Sequence, residues 1–355
     1  MCKVRAAVFL FAGAAALFAG CASVSADKGS APEPVPEWVS VPKKVYPADR
    51  YFCHVGKSKD KSEAELLALE GLAAVFGQDI ASAGTFSSRM ESAAAAGTVA
   101  VVQSKSTQSD IVRTVDIKAL AAAEIKEYWT DGENTVYALA VMDKAKASAL
   151  YTSMISRNNE EIERLLSCRA DDAYSFESYA CIDFAREIAA LNEVYLSRLS
   201  VADFSAFCAI KDKCRTQAEL SAQLVDVARQ IPVYVHFEND SGGRCAAAFA
   251  KAFNSFGFRT SQEKNERYSF SGRLNFSEAA PKDKSSVQCL YFLEASLADT
   301  AFAQNLLSSS FNGRSSGNSY DAAVNLAFRA IESKASGSFA KELSAFLQGV
   351  RIPEK

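Results

Sequence analysis

Two hydrophobic periods run along this chain, one of two residues and one near 3.6. From Arg50 to Gly56, Tyr51, Cys53 and Val55 alternate with Phe52 and His54, which predicts a short strand. Ser62-Glu63-Ala64-Glu65 then reads as a capping box, with Ser at the cap and Glu three residues on. A helix is expected from there to about Ala83, with Leu66, Leu69, Ala73, Phe76 and Ile80 on one face. Gly71 and Gly77 would each cost about 1 kcal/mol relative to Ala, unless they allow close packing against a sheet. Met90 to Lys118 mixes helical and strand signals. Ala123–Trp129 and Thr135–Met142 read as two strands, with Tyr137, Leu139 and Val141 along one face of the second. Asp131-Gly132-Glu133-Asn134 supplies the hairpin turn between them, because Gly and Asn tolerate positive φ.

The period then changes. Residues 145–230 read as helices. Ile162, Leu165 and Leu166 follow a polar run, Ile182, Ala185, Ile188, Ala189 and Leu196 fall at helical intervals, and so do Leu220, Leu224 and Val227. No proline interrupts the chain from Pro47 to Pro232, as long helices require. After Pro232 the period-two pattern returns: Val233, Val235 and Phe237 alternate with Tyr234, His236 and Glu238. Asp240-Ser241-Gly242-Gly243 turns into a helix with Cys245, Phe249, Phe253 and Phe256 on one face and Gly257 as its stop. Tyr268, Phe270, Leu274 and Phe276 mark a second strand, and Val287–Leu297 a third. Ser308–Ser319 reads as a small-residue loop containing Arg314, and Tyr320–Glu332 and Phe339–Leu347 as closing helices. The predicted class is α+β: two small α/β modules, an N-terminal strand-helix-hairpin and a C-terminal β-α-β-β-α, joined by a helical arm.

Composition narrows the function. The chain has 355 residues, 49% apolar and 23% charged, enough for two cored domains. Met1–Gly20 reads as a secretory signal: Lys3 and Arg5, then an uncharged run from Ala6 to Ala19, shorter than the roughly 20 apolar residues that span a bilayer. Without Lys3 and Arg5 the 39 basic residues fall to 37 against 42 acidic ones, a net charge of −5. That balance, with no basic stripe, argues against nucleic-acid binding. Cys2 leaves with the signal. Cys53, Cys168, Cys181, Cys208, Cys214, Cys245 and Cys289 remain beyond Cys21. They are readable either as disulfides of an exported chain, plausible among 168, 181, 208 and 214, or as small buried hydrophobes.

Leu17-Phe18-Ala19-Gly20-Cys21 resembles the lipobox of bacterial lipoproteins, with Phe18 where Leu is usual. The resemblance implies that Cys21 is acylated, that its acyl chains partner the membrane, and that residues 1–20 are removed. Pro32, Pro34, Pro36 and Pro42 make residues 21–44 a Pro/Ser-rich tether. Ala22 is not the Asp that retains lipoproteins in the inner membrane of some bacteria, so an outer-membrane location is expected, on the periplasmic face or the cell surface.

A second resemblance lies in residues 36–145. The strand ending Val55-Gly56-Lys57-Ser58, the polar Lys59-Asp60-Lys61, the Ala/Leu-rich helix from Glu63 and the hairpin Glu127-Tyr128-Trp129…Tyr137-Ala138-Leu139-Ala140 look like the LPP-twenty family of bacterial lipoproteins. Pro36-Glu37-Trp38-Val39 is similar to the Pro-x-Trp opening of that family. The resemblance implies a compact α/β module over residues 45–146, with no catalytic residues to carry over. Residues 147–230 are then a helical connector and 231–355 a C-terminal α/β domain. That domain's element order resembles the C-terminal domains of the curli secretion factor and the peptidoglycan-synthase activators.

Candidate chemistry is sparse. His54 and His236 are the only histidines, and no metal, phosphate-loop or nucleophile-elbow motif occurs. Cys245 with His236 and Asp240 is the best enzymatic set, a thiol needing a base and an orienting group, but Cys245 falls on an apolar helix face. Cys53 and His54 are strand neighbours pointing to opposite faces. Asp49, Asp60, Glu63 and Glu65 read as a solvated helix start rather than a metal cluster. Gly242-Gly243-Arg244 and the serine-rich stretch around Arg314 could hold an anion or a peptide. The expectation is therefore a lipoprotein with no catalytic, cofactor or metal residues, acting as a non-enzymatic scaffold with an envelope protein partner. The alternative is a regulator of an envelope enzyme or secretion complex acting through its C-terminal domain.

Overall fold

The computed structural model describes residues 34–82, 122–167, 171–279 and 286–350, without the side chains of 77–82. Cys21 and its surrounding lipobox, the stretch from Met90 to Lys118, and Cys168 lie outside them. The fold is α+β. Two single-turn helices, α1 (Glu37–Ser40) and α2 (Pro42–Val45), precede strand β1 (Tyr51–Ser58) and helix α3 (Lys61–Ser82). Strands β2 (Ala123–Thr130) and β3 (Val136–Asp143) form the expected hairpin. Asn134 sits at φ +59° and the Asp131 carboxylate accepts from the Glu133 and Thr135 amides at 2.9 and 2.8 Å. The three strands pair antiparallel in the order β1-β3-β2.

One face of this sheet packs on α3, and the reason is legible in the glycines. A Cβ at Gly56 would stand 2.2 Å from the Ala64 carbonyl oxygen and 2.3 Å from the Ala68 amide. One at Gly71 would overlap the ring of His54. The helix thus lies backbone-close on β1 along Ala64, Ala68, Leu72 and Phe76, all buried. This corrects the predicted stripe: Leu66 is 55% exposed. Close approach selects small side chains for the seam, so its centre shifts to Ala64 and Ala68; of the predicted stripe, Phe76 is buried in it and Leu69 packs at its edge. The cap also differs. The Asp60 carboxylate, not the Ser62 hydroxyl, accepts from the Glu63 amide at 2.9 Å, and the Glu63 side chain takes a hydrogen bond from Ser58 Oγ. The sheet's other face buries Trp38 against Cys53, Leu139 and Val141. The segment read as tether therefore contains folded residues at 37–45.

The helical region comprises α4 (Lys144–Ser167), α5 (Phe176–Ala202), α6 (Phe204–Ile210) and α7 (Gln217–Arg229). Helix α5 starts at Ser175, whose hydroxyl accepts from the Ser178 amide at 3.1 Å. At 27 residues it is about 40 Å long. Its side chains enter three clusters in turn. Phe176, Tyr179 and Ile182 belong to the C-terminal core, Cys181, Ala185 and Ala189 pack with Ile162, Leu165 and Leu220, and Tyr195, Leu196 and Leu199 join Phe52 and Tyr151. Midway, the fully buried Asn192 donates to Asn159 at 2.9 Å and accepts from Asn158 at 2.8 Å, which ties α5 to α4. The connector is thus an element of both cores rather than a separate arm.

The C-terminal sheet has the order β5-β4-β6-β7-β8, from β4 (Pro232–Glu238), β5 (Arg259–Ser261), β6 (Tyr268–Ala279), β7 (Val287–Asp299) and β8 (Gln304–Gly317). Strand β4 runs parallel to β5 and β6, and the rest is antiparallel. Helices α8 (Arg244–Ser255), α9 (Tyr320–Lys334) and α10 (Ala340–Gly349) cover one face, with a single π-helical turn at Ala335–Phe339 between the last two. Val233, Val235, Phe237, Phe249, Phe253, Phe270 and Phe339 meet there in a dense aromatic core. Phe249, Phe253, Tyr268 and Phe270 are buried in this core, and Phe256 packs half-buried at its edge.

Strand β8 corrects the serine-rich loop, and with it the β-α-β-β-α order. Serine has little intrinsic strand preference, so single-sequence reasoning sees a loop. Small residues are needed on its inward face, at Ser309, Gly313 and Ser315, because helices and the Tyr291 ring lie directly on it. The Ser315 hydroxyl donates to the Ala323 carbonyl at 2.7 Å, Ser309 donates to Glu342 at 2.5 Å, and Gly313 leaves room for the Tyr291 ring.

Candidate functional site

The groups singled out from sequence do not converge. Cys245 is 1% exposed on the core side of α8. Burial, and secondarily the nearby Asp240 carboxylate, push its thiol well above the ordinary range. Asp240 is occupied in capping α8: its two oxygens accept from the Cys245 and Ala246 amides at 3.0 and 2.9 Å. His236 is exposed on the opposite side of β4, so no base reaches the thiol. Cys53 packs under Trp38, and desolvation raises its thiol too. His54 points the other way, onto Gly71, with its buried Nδ1 lacking a hydrogen-bond partner. The six described cysteines form no disulfide with one another.

At the start of α3, Asp60 caps the helix and the Glu65 carboxylate accepts from the Tyr128 hydroxyl at 2.8 Å. Asp49 sits in the turn before β1. Among the described residues no three His, Cys, Asp or Glu side chains form a set that could hold a metal ion. Gly242 and Gly243, at φ +80° and +66°, make the turn that admits α8. Arg244 beside them is engaged across the helices rather than open. It donates to Asn325 at 2.8 Å and Glu332 at 3.2 Å, and its guanidinium lies 4.4 Å from the Phe328 ring centroid.

The feature that sequence reasoning missed is the face of the C-terminal sheet that no element of the described residues covers. Alternate residues of four strands project there and line a groove of about 870 Å³. The register sets their order. His236 stands opposite Ser271, Ser271 opposite Ser296, and Ser296 opposite Ser308. One step along, Glu238 faces Arg273, Arg273 faces Glu294, and Glu294 faces Ser310. Arg273 Nε donates to Glu238 at 2.6 Å. Both side chains are more than half exposed, so the pair adds little stability, about 0–1 kcal/mol. The Tyr234 and His236 rings stack at 5.8 Å and 12°. Strands with one solvated face, such as the antiparallel β6, β7 and β8, alternate in this way. The signal in the sequence was the polar half of each strand's alternation, but its continuity across strands appears only once the register is known.

At the groove's end an ion-pair network joins the sheet to the turn before α5. Arg267 grips Asp172 in a bidentate pair at 2.7 and 3.0 Å and donates to the buried Asp299 at 2.8 Å. The hydrogen bonds it donates to Asp172 and Asp299 hold its guanidinium firmly in the charged form. No helix of the described residues is long and apolar enough to cross a membrane.

No protein-family model matches the sequence, and neither does any curated protein. Solved structures do show similarity. A secreted protein of Helicobacter pylori aligns over 86% of this chain and 99% of its own, at a TM-score of 0.42 and 10% identity. A protein described as a lipoprotein of Caulobacter crescentus aligns over 37% of this chain and 98% of its own, at 0.27 and 12%. A minor lipoprotein of Acinetobacter baumannii aligns over 35% and 96%, at 0.24 and 11%. None of these reaches a TM-score of 0.5 or one-quarter identity.

Proposed function

We propose that this is a lipid-anchored lipoprotein of the cell envelope, related to the LPP-twenty family, that acts as a non-catalytic scaffold. The lipobox at Cys21 supplies the anchor, with multiple acyl chains needed for durable attachment. Ala22 favours the outer membrane. The observation that carries the scaffold reading is the dispersal, among the described residues, of the candidate nucleophiles and bases beside a sheet face that no described element covers. A regulatory reading, in which the C-terminal domain acts on an envelope enzyme or secretion complex, is favoured by the same groove.

The test is crosslinking in cells of the full-length protein beside a Cys21→Ser control, with partners identified by mass. A dominant partner lost in the control supports anchored scaffolding and names its pathway. Recovery of the mature wild-type protein in the aqueous phase of a detergent partition would overturn the anchor.

A further inference from the structure

We propose that strand β8 is an assembly edge, at which two copies of this chain pair their β8 strands antiparallel about a two-fold axis. Sheet edges present unpaired N–H and C=O groups, and proteins ordinarily protect them by shortness, charge or cover. Of the other three edges among the described residues, two are protected in those ways and the third is much shorter than β8. Strand β5 has three residues, β2 carries Glu124, Lys126 and Glu127, and β1 has eight residues with Lys57. Strand β8 has fourteen residues, contains no proline, and carries one charge, Arg314. It pairs with β7 alone, in unbroken register from Leu307 to Gly317. Among the described residues no strand pairs with its outer side.

The composition of β8 fits itself as partner. A two-fold pairing places residue i opposite j with i + j constant, and an even sum keeps both helix-covered faces on one side. With the axis at Ser310, Asn312 meets Ser308 and Arg314 meets Leu306. Any axis away from Arg314 keeps the two guanidinium groups apart, so self-pairing opposes no like charges. The groove reaches β8 through Asn305, Ser308 and Ser310. Joining two edges therefore makes one ten-stranded sheet with one continuous polar trough. This inference does not depend on lipidation.

The mature chain carrying Cys21→Ser, which removes acyl-driven association, is weighed by sedimentation velocity. The expected mass is twice that of one chain. S308K/S310K/N312K and S308E/S310E/N312E should each give single-chain mass with unchanged circular dichroism, and their equimolar mixture should restore the doubled mass. Amide exchange on the unsubstituted strand provides a measurement that needs no variant: protection over 307–317 should rise with protein concentration. A single-chain mass at high micromolar concentration would overturn the proposal. So would a doubled mass that persists in both charged variants, or one without added protection in β8.

Discussion

Replacing Phe176 by Ala tests whether the two cores fold as one. The ring is fully buried, with centroids 4.3 Å from Tyr268, 4.9 Å from Phe258 and 6.0 Å from Phe346. Phe→Ala in such a site costs about 3–5 kcal/mol, from lost transfer free energy and the cavity left behind. With a urea m-value of about 3 kcal/mol/M, the midpoint should fall by roughly 1–1.7 M. The chain's two tryptophans make the assay discriminating. Trp38 and Trp129 both lie in the N-terminal module, so their fluorescence reports that module, while far-UV circular dichroism reports the whole. Because α5 carries Phe176 in one core and Tyr195, Leu196 and Leu199 in the other, both signals should shift together. A fluorescence transition that stays in place while circular dichroism moves would refute the coupling. A shift below about 0.3 M in both would refute the packing argument itself.

Three further outcomes are expected. Gly56→Ala should cost at least the 1–3 kcal/mol typical of overpacking, read as a lowered Tm, because the new Cβ meets backbone rather than a movable side chain. Arg267→Ala should cost about 3 kcal/mol in urea unfolding by leaving Asp299, 4% exposed, without its cation, and Arg267→Lys should recover only part because it cannot form the bidentate pair. Burial pushes the fully buried Tyr151 hydroxyl up to about 12. The unfolded chain loses that proton near pH 10 and the folded chain does not, so its share of stability is whole below pH 10 and falls by a few kcal/mol towards pH 12. Tyr151→Phe should flatten that part of the stability–pH curve in denaturant titrations.

Much of the architecture was readable from period alone. The hairpin at Asp131–Asn134, the strand of Val233, Val235 and Phe237, and the helix of Phe249 and Phe253 each combine a clear alternation with local turn or cap chemistry, so no distant contact is needed to specify them. The readings that failed share a cause. Leu66 was assigned to the core by spacing, yet the backbone contact at Gly56 gave the seam to Ala64 and Ala68. Ser308–Gly317 is poor in strand-forming residues because Ser309, Gly313 and Ser315 sit under side chains and helices that come from elsewhere in the chain, while Ser308, Ser310 and Asn312 face solvent. The groove residues were each visible as the polar member of an alternation, but a pattern along one strand holds no information about its neighbours' register.

The sequence by itself determined the charge balance, the class of the fold and the separation of Cys53 from His54, since each follows from composition or from the pattern of neighbours a few residues away. Only the tertiary structure decided that α5 belongs to two cores, that Arg267 reaches Asp172, and that among the described residues no strand pairs with the outer edge of β8. Those outcomes are set by which surfaces lie against each other after the chain has closed, and contacts between residues dozens of positions apart leave no period in the sequence.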